Sequence, residues 1–151
     1  MFGFYTAFGA ALDNAAFAGS VAGRYRASER WLLGVDAEYN PWFSLDAKRF
    51  RPGTINIYST FIKRYPIDER LSLRITGHLG VSVLLFDLIG APAGSTGLYL
   101  GGNLLGIDYR LGDYIYLVLD PADFSVPIPH VTGAPLIYRQ YRITVGMQFG
   151  A

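Results

Sequence analysis

The chain has 151 residues, a formal net charge of +1 and no cysteine, so one domain over residues 1–151 is the default and disulfides and thiolate metal sites are excluded. It is 51% hydrophobic and only 17% charged, against about 25% charged in an average soluble domain, and its near-neutral balance gives no case for a nucleic-acid partner. No run reaches the roughly 18 apolar residues of a membrane-spanning helix, which leaves strands as the only way across a bilayer.

A two-residue beat runs down the whole length, and eight strands are predicted from it. The first covers Phe2 to Ala11, with Phe2, Phe4 and Phe8 on one parity. The second, Ala15 to Ala27, sets Phe17, Val21 and Tyr25 against Ser20, Arg24 and Arg26. The third, Trp31 to Phe43, sets Trp31, Leu33, Val35 and Tyr39 against Asp36, Glu38 and Asn40. The fourth, Thr54 to Tyr65, sets Ile55, Ile57 and Phe61 against Asn56, Thr60 and Arg64. The fifth, Leu71 to Phe86, is the clearest, with Leu71, Leu73, Ile75, Leu79, Val81, Val83 and Leu85 opposite Ser72, Arg74, Thr76, His78 and Ser82. The sixth, Gly97 to Leu111, loses its beat around Gly101, Gly102 and Asn103, where a bulge is expected. The seventh is short, Tyr114 to Leu119, and the eighth, Ile137 to Phe149, is clean again.

Successive strand side chains point to opposite faces, so each segment has one oily and one wet face. The fifth is about twice the length of a globular strand. The connections sort by length. Those after the second, fourth and sixth strands are short: Ser28 to Arg30, Pro66 to Arg70, and Gly112-Asp113. Those after the third, fifth and seventh are long: Ser44 to Gly53, Asp87 to Thr96, and Asp120 to Leu136. Short Leu12 to Asn14 departs from the rule. Short turns at one end and long loops at the other suit a transmembrane barrel, and an even strand number closes it without edges. The fold class is therefore all-β: a closed, antiparallel, up-and-down transmembrane β-barrel of eight strands.

Alternation alone does not say which face is inside. A soluble, lipocalin-like barrel with an apolar lumen for a ligand is the competitor. Against it, the chain has only two lysines (Lys48, Lys63) and three glutamates (Glu29, Glu38, Glu69), where a solvated surface is rich in both. Tyr25, Trp31, Trp42, Phe43, Tyr65, Phe86, Tyr114, Tyr138 and Phe149 fall near strand ends, as in interfacial aromatic girdles.

With these features the chain resembles the small eight-stranded outer-membrane β-barrels of Gram-negative bacteria, of the OmpA-like transmembrane type. Tyr141 to Phe149 looks like the closing strand of such proteins, with Gly150-Ala151 added after the aromatic. Glu38 to Asp46 and Leu119 to Phe124 also resemble parts of uncharacterised outer-membrane barrels of deltaproteobacteria. The resemblance implies a bacterial outer-membrane location. No basic segment follows Met1, so the expectation is a chain whose signal peptide has been removed.

The wet face collects Arg24, Arg26, Asp36, Glu38, Arg64, Arg74, His78, Asp108 and Arg142, with Gln140 and Asn103. An eight-stranded lumen is just wide enough for side chains to fill, so these are expected to meet as a buried ion-pair network. Asp36 and Glu38 are candidate partners of Arg24 and Arg26, and Asp108 of Arg110 or an arginine across the lumen. Gly34, Gly80, Gly146, Ala18 and Ala22 leave room for the long arginines. Lys48, Arg49 and Arg51 in the long loop Ser44 to Gly53, and Arg139, are candidate lipopolysaccharide contacts. Asp120, Asp123 and His130 form a candidate surface-loop site. No catalytic residue is assigned, because His78 with Ser82 faces the lumen and His130 has no fixed partners. No cofactor and no metal are expected. The expected role is structural, anchoring or surface-interacting, with the lumen plugged. The alternatives are a narrow pore and a lipid A-modifying enzyme. Outer-membrane lipids are the partners to expect, and no surface or periplasmic protein partner can be named.

Overall fold

In the computed structural model, residues 4–13, 17–43, 50–87, 92–129 and 139–150 are described. Eight antiparallel strands form the molecule: β1 (Phe4–Asp13), β2 (Phe17–Arg26), β3 (Trp31–Phe43), β4 (Phe50–Pro66), β5 (Leu71–Leu84), β6 (Thr96–Arg110), β7 (Ile115–Pro129) and β8 (Gln140–Gly150). Each pairs with its sequence neighbour, and β1 pairs with β8 from Tyr5↔Gly150 to Asp13↔Arg142, so the sheet closes. The strands are 10 to 17 residues long, enough for tilted strands to span a hydrocarbon core.

The two faces are sorted as the alternation requires. Val35, Ile57, Phe61, Leu79, Val81, Leu98, Ile143 and Val145 stand on the outside, exposed. The buried set is mostly polar or charged, from Asp36, Glu38 and Asn40 on β3 to Gln140, Arg142 and Gln148 on β8. A lipocalin-like barrel would have these faces reversed, so the apolar-lumen alternative does not hold. Trp31, Tyr65, Tyr109, Tyr114 and Phe149 are exposed at the end with the short turns, and Tyr39, Phe124 and Tyr141 toward the other end.

Three turns at the first end share one hydrogen-bond pattern. The amides of Ala27 and Ser28 both donate to the Trp31 carbonyl, those of Ile67 and Asp68 to Leu71, and those of Leu111 and Gly112 to Ile115. Each turn also links to a neighbouring strand. The Arg30, Arg70 and Tyr114 carbonyls accept from the amides of Arg64, Arg110 and Gly150, at 2.7, 2.7 and 3.0 Å.

The strands differ from their expected bounds mainly at the other end. β4 starts at Phe50 rather than Thr54, and β7 runs on to Pro129 rather than stopping at Leu119. Both pass through bulged regions. The β3–β4 register shifts between Asn40 and Trp42, and the β7–β8 register between Asp120 and Asp123. A bulge inserts one residue and resets the parity, so the beat is lost while the strand continues. The bulge expected near Gly101 to Asn103 falls just after them, where Leu104 and Leu105 on β6 oppose the single Ile75 of β5.

Candidate functional site

The polar lumen is layered along the barrel axis. At the short-turn end Leu32 and Ile62 are buried with Tyr116 packed on them, and the Arg64 guanidinium lies 5.1 Å from the Tyr116 ring centroid. Above them comes the charged layer. At the loop end it gives way to uncharged groups: Asn40, Thr54, Asn56, Ser82, Ser125 and Gln140 are all buried, and Ser125 Oγ donates to Gln140 Oε1 at 3.0 Å. Tyr99 stacks on Tyr58 between the layers, with centroids 4.7 Å apart.

Three clusters make up the charged layer. In the first, Arg142 donates to Glu38 Oε2 at 2.5 Å and to Asp123 Oδ2 at 2.6 Å. Glu38 also accepts from Asn56 Nδ2 at 2.9 Å and the Tyr58 hydroxyl at 3.3 Å. In the second, Arg74 holds Asp120 through two nitrogens, with Nε at 2.9 Å from Oδ1, and its third nitrogen lies 3.3 Å from Asp108. Arg64 Nε lies 2.6 Å from the other Asp108 oxygen, and Asn103 donates to Asp120. In the third, Arg24 donates to Asp36 at 3.2 Å and Gln148 at 3.0 Å, while the Thr60 hydroxyl donates to Asp36 at 2.5 Å. His78 joins the clusters, its Nδ1 3.4 Å from the Thr60 hydroxyl and its Nε2 3.8 Å from Asp123 Oδ1. A cavity of about 40 Å³ remains beside Ser20, Asp36, Glu38, His78 and Arg142, room for about two or three waters.

Arg142 reaches Glu38 because the strands between β8 and β3 carry small inward residues. Gly9 of β1 and Ser20 and Ala22 of β2 line the cavity beside the pair. Glycine makes room elsewhere too. A Cβ on Gly34 would stand 2.8 Å from Arg24 Cγ, and one on Gly106 would stand 2.5 Å from Arg74 Cγ and collide with Asp120.

Of the expected network, Arg24, Asp36, Glu38, Arg64, Arg74, His78, Asp108 and Arg142 come together in the lumen. One pairing differs from expectation, and one of the two alternatives for Asp108 is decided. Glu38 meets Arg142 rather than Arg24 or Arg26. Asp108 meets Arg64 and Arg74, whereas Arg110 pairs with Asp113 at the exposed rim at 3.0 Å. Arg26 is half-buried at the turn end of β2, outside the three clusters.

The surface-loop site is corrected. Asp120 and Asp123 belong to β7 and are buried at 7% and 4% exposure, as acceptors for Arg74 and Arg142. Proline in a strand argues against continuing it, and Pro121 stands between the two aspartates. A count of charge on the wet face was the missed signal. On the wet-face parity five arginines, Arg26 included, stand against the three carboxylates Asp36, Glu38 and Asp108, and buried charge without a partner is costly. His130, Lys48 and Arg49 lie outside the described residues, and Arg51 stands near the start of β4. Arg139 is exposed just before β8.

No family model and no curated protein matches the sequence. Solved structures do match in shape. Neisserial surface protein A aligns with a TM-score of 0.71 at 16% identity, over 98% of this chain and 96% of that one. The N-terminal β-barrel domain of OprF from Pseudomonas aeruginosa aligns with a TM-score of 0.60 at 9% identity, over 99% and 97%. A de novo designed transmembrane β-barrel also gives 0.60 at 9% identity, over 99% and 95%. The chain has the fold of the small eight-stranded outer-membrane β-barrels. The resemblance of two segments to deltaproteobacterial barrels finds no support among these structures.

Proposed function

We propose that the protein is an integral outer-membrane β-barrel with a closed lumen, serving a structural, anchoring or surface-interaction role rather than catalysis or conduction. The observation that carries this is the joining of an apolar outer wall to a lumen crossed by paired charges. Arg142 binds carboxylates on β3 and β7, and Arg74 binds carboxylates on β6 and β7. Ions would have to break desolvated pairs to pass, and the Leu32–Ile62 cluster lies beyond them. His78 is engaged with Thr60 and Asp123 behind the wall, away from any lipid substrate. The start of β1, the end of β8 and the turns after β2, β4 and β6 share one end, which faces the periplasm, and the longer connections face outward.

The test is conductance. Reconstituted into planar bilayers, the protein is expected to give no single-channel steps. Steps that change size in Arg74→Ala or Glu38→Gln would replace this reading with a narrow pore. A surface-interaction role is tested separately: shortening residues 130–138 should abolish binding to a surface partner while the barrel still folds.

A further inference from the structure

Lys63 stands on the outward face of β4, between Phe61 and Tyr65, the one charged residue described in a row of Ile55, Ile57, Ser59, Phe61 and Tyr65. Its Nζ lies 5.5 Å from the Trp31 ring centroid and 5.3 Å from that of Tyr65. Among the described residues no carboxylate stands within ion-pair distance of it. The two rings hold the ammonium at the level of the aromatic residues of the short-turn end without neutralising it. The lumen cations are treated differently, each having its carboxylate.

A furrow of about 570 Å³ opens on the same outer surface over β2, lined by Thr6, Gly23, Tyr25, Leu33, Val35 and Phe149. Gly23 is its floor, where a Cβ would meet nothing within 4 Å. The register fixes how furrow and cation relate. Lys63 pairs with Trp31 and Phe61 with Leu33 across β3–β4, while Tyr25 pairs with Leu33 and Gly23 with Val35 across β2–β3. The ammonium therefore sits one outward residue below the foot of the furrow, about 7 Å along the strand.

A positive point at the interface below an apolar furrow complements a molecule with a phosphate joined to a long hydrocarbon chain. We infer that this place seats a glycerophospholipid of the leaflet at the short-turn end. Its phosphate lies on Lys63 between Trp31 and Tyr65, and one acyl chain lies in the furrow over Gly23. The inference rests on the membrane reading above.

The full chain, folded in octyl glucoside micelles, is titrated with dioleoylphosphatidylglycerol or with dioleoylglycerol, and retained lipid is counted by native mass spectrometry. A heat-modifiable band first verifies that each variant has folded. The expected result is selective retention of the phospholipid, weakened about tenfold in Lys63→Met, the worth of one charge-assisted contact. Gly23→Leu, which fills the furrow, should weaken it likewise. Gly77→Leu puts the same side chain on β5, where a Cβ also meets nothing within 4 Å, and should retain lipid as the native chain does. Equal retention by Lys63→Met and the native chain overturns the phosphate site. Equal losses in Gly23→Leu and Gly77→Leu, or none in either, overturn the furrow. Failure of the membrane reading itself would show earlier, as a chain that takes no compact form in micelles.

Discussion

Arg142 has an exposure of 1% and two carboxylate partners. Its guanidinium offers five donors in a fixed fork, which suits binding Glu38 and Asp123 together. Removing one member of a buried pair leaves the others charged and desolvated. Arg142→Met should therefore cost about 3–5 kcal/mol in urea unfolding from micelles. Arg110→Ala breaks contacts at the rim alone, the pair with Asp113, which is 84% exposed, and an Nε bond to the Gly112 carbonyl at 3.1 Å, and should change stability by less than about 0.5 kcal/mol. Equal losses in the two variants would contradict the buried network. Gly106 is the complementary case. Its missing Cβ lets the Arg74–Asp120 pair lie against β6, so Gly106→Ala should destabilise the barrel although alanine suits a strand no worse than glycine.

At the scale of elements, the turns and the bulges carry the local design. In the β4–β5 turn, Asp68 Oδ1 accepts from the amides of Arg70 and Leu71, both at 2.7 Å. These bonds hold its carboxyl below the ordinary value for an aspartate. A depressed folded-state value means stability that is present above the unfolded value of about 3.9 and is lost as pH falls through the folded one. The Arg70 and Leu71 amide resonances should thus shift together below about pH 4, and the transition should vanish in Asp68→Asn; an unshifted titration would remove the turn from the acid response. The bulges satisfy their own orphan groups. Asn103 Oδ1 accepts from the Leu105 amide at 2.9 Å, and the Tyr141 hydroxyl donates to the Pro121 carbonyl at 2.9 Å. Within a bilayer an unpaired carbonyl has no water to turn to, so Tyr141→Phe should cost about 1 kcal/mol in unfolding; no change would mean the Pro121 carbonyl is satisfied otherwise. These devices also explain what was legible beforehand. β3, β5 and β8 keep one beat, so their faces could be read residue by residue. β7 changes parity at Pro121-Ala122, and a period-two reading ends where the parity changes. Asp120 and Asp123 were misplaced for that reason, and with them half of the acceptors for Arg74 and Arg142.

For the whole molecule, closure decides what the faces can do. The β1–β8 ladder leaves no edge, so every strand turns one face to the lumen and one outward. The closed eight-stranded form was readable from strand number and loop sorting. The pairings Glu38–Arg142 and Asp108–Arg64 were not, because they cross between strands distant in sequence and depend on stagger and on small residues such as Gly9 and Ala22. The central claim is that the apolar face is outside because it meets lipid. The most direct measurement is a gel shift of boiled against unboiled protein, folded in detergent micelles and, in parallel, diluted into plain buffer. A lipid-facing wall predicts a compact, heat-modifiable band that forms only in detergent. A compact, monomeric, heat-modifiable form in buffer alone would contradict it.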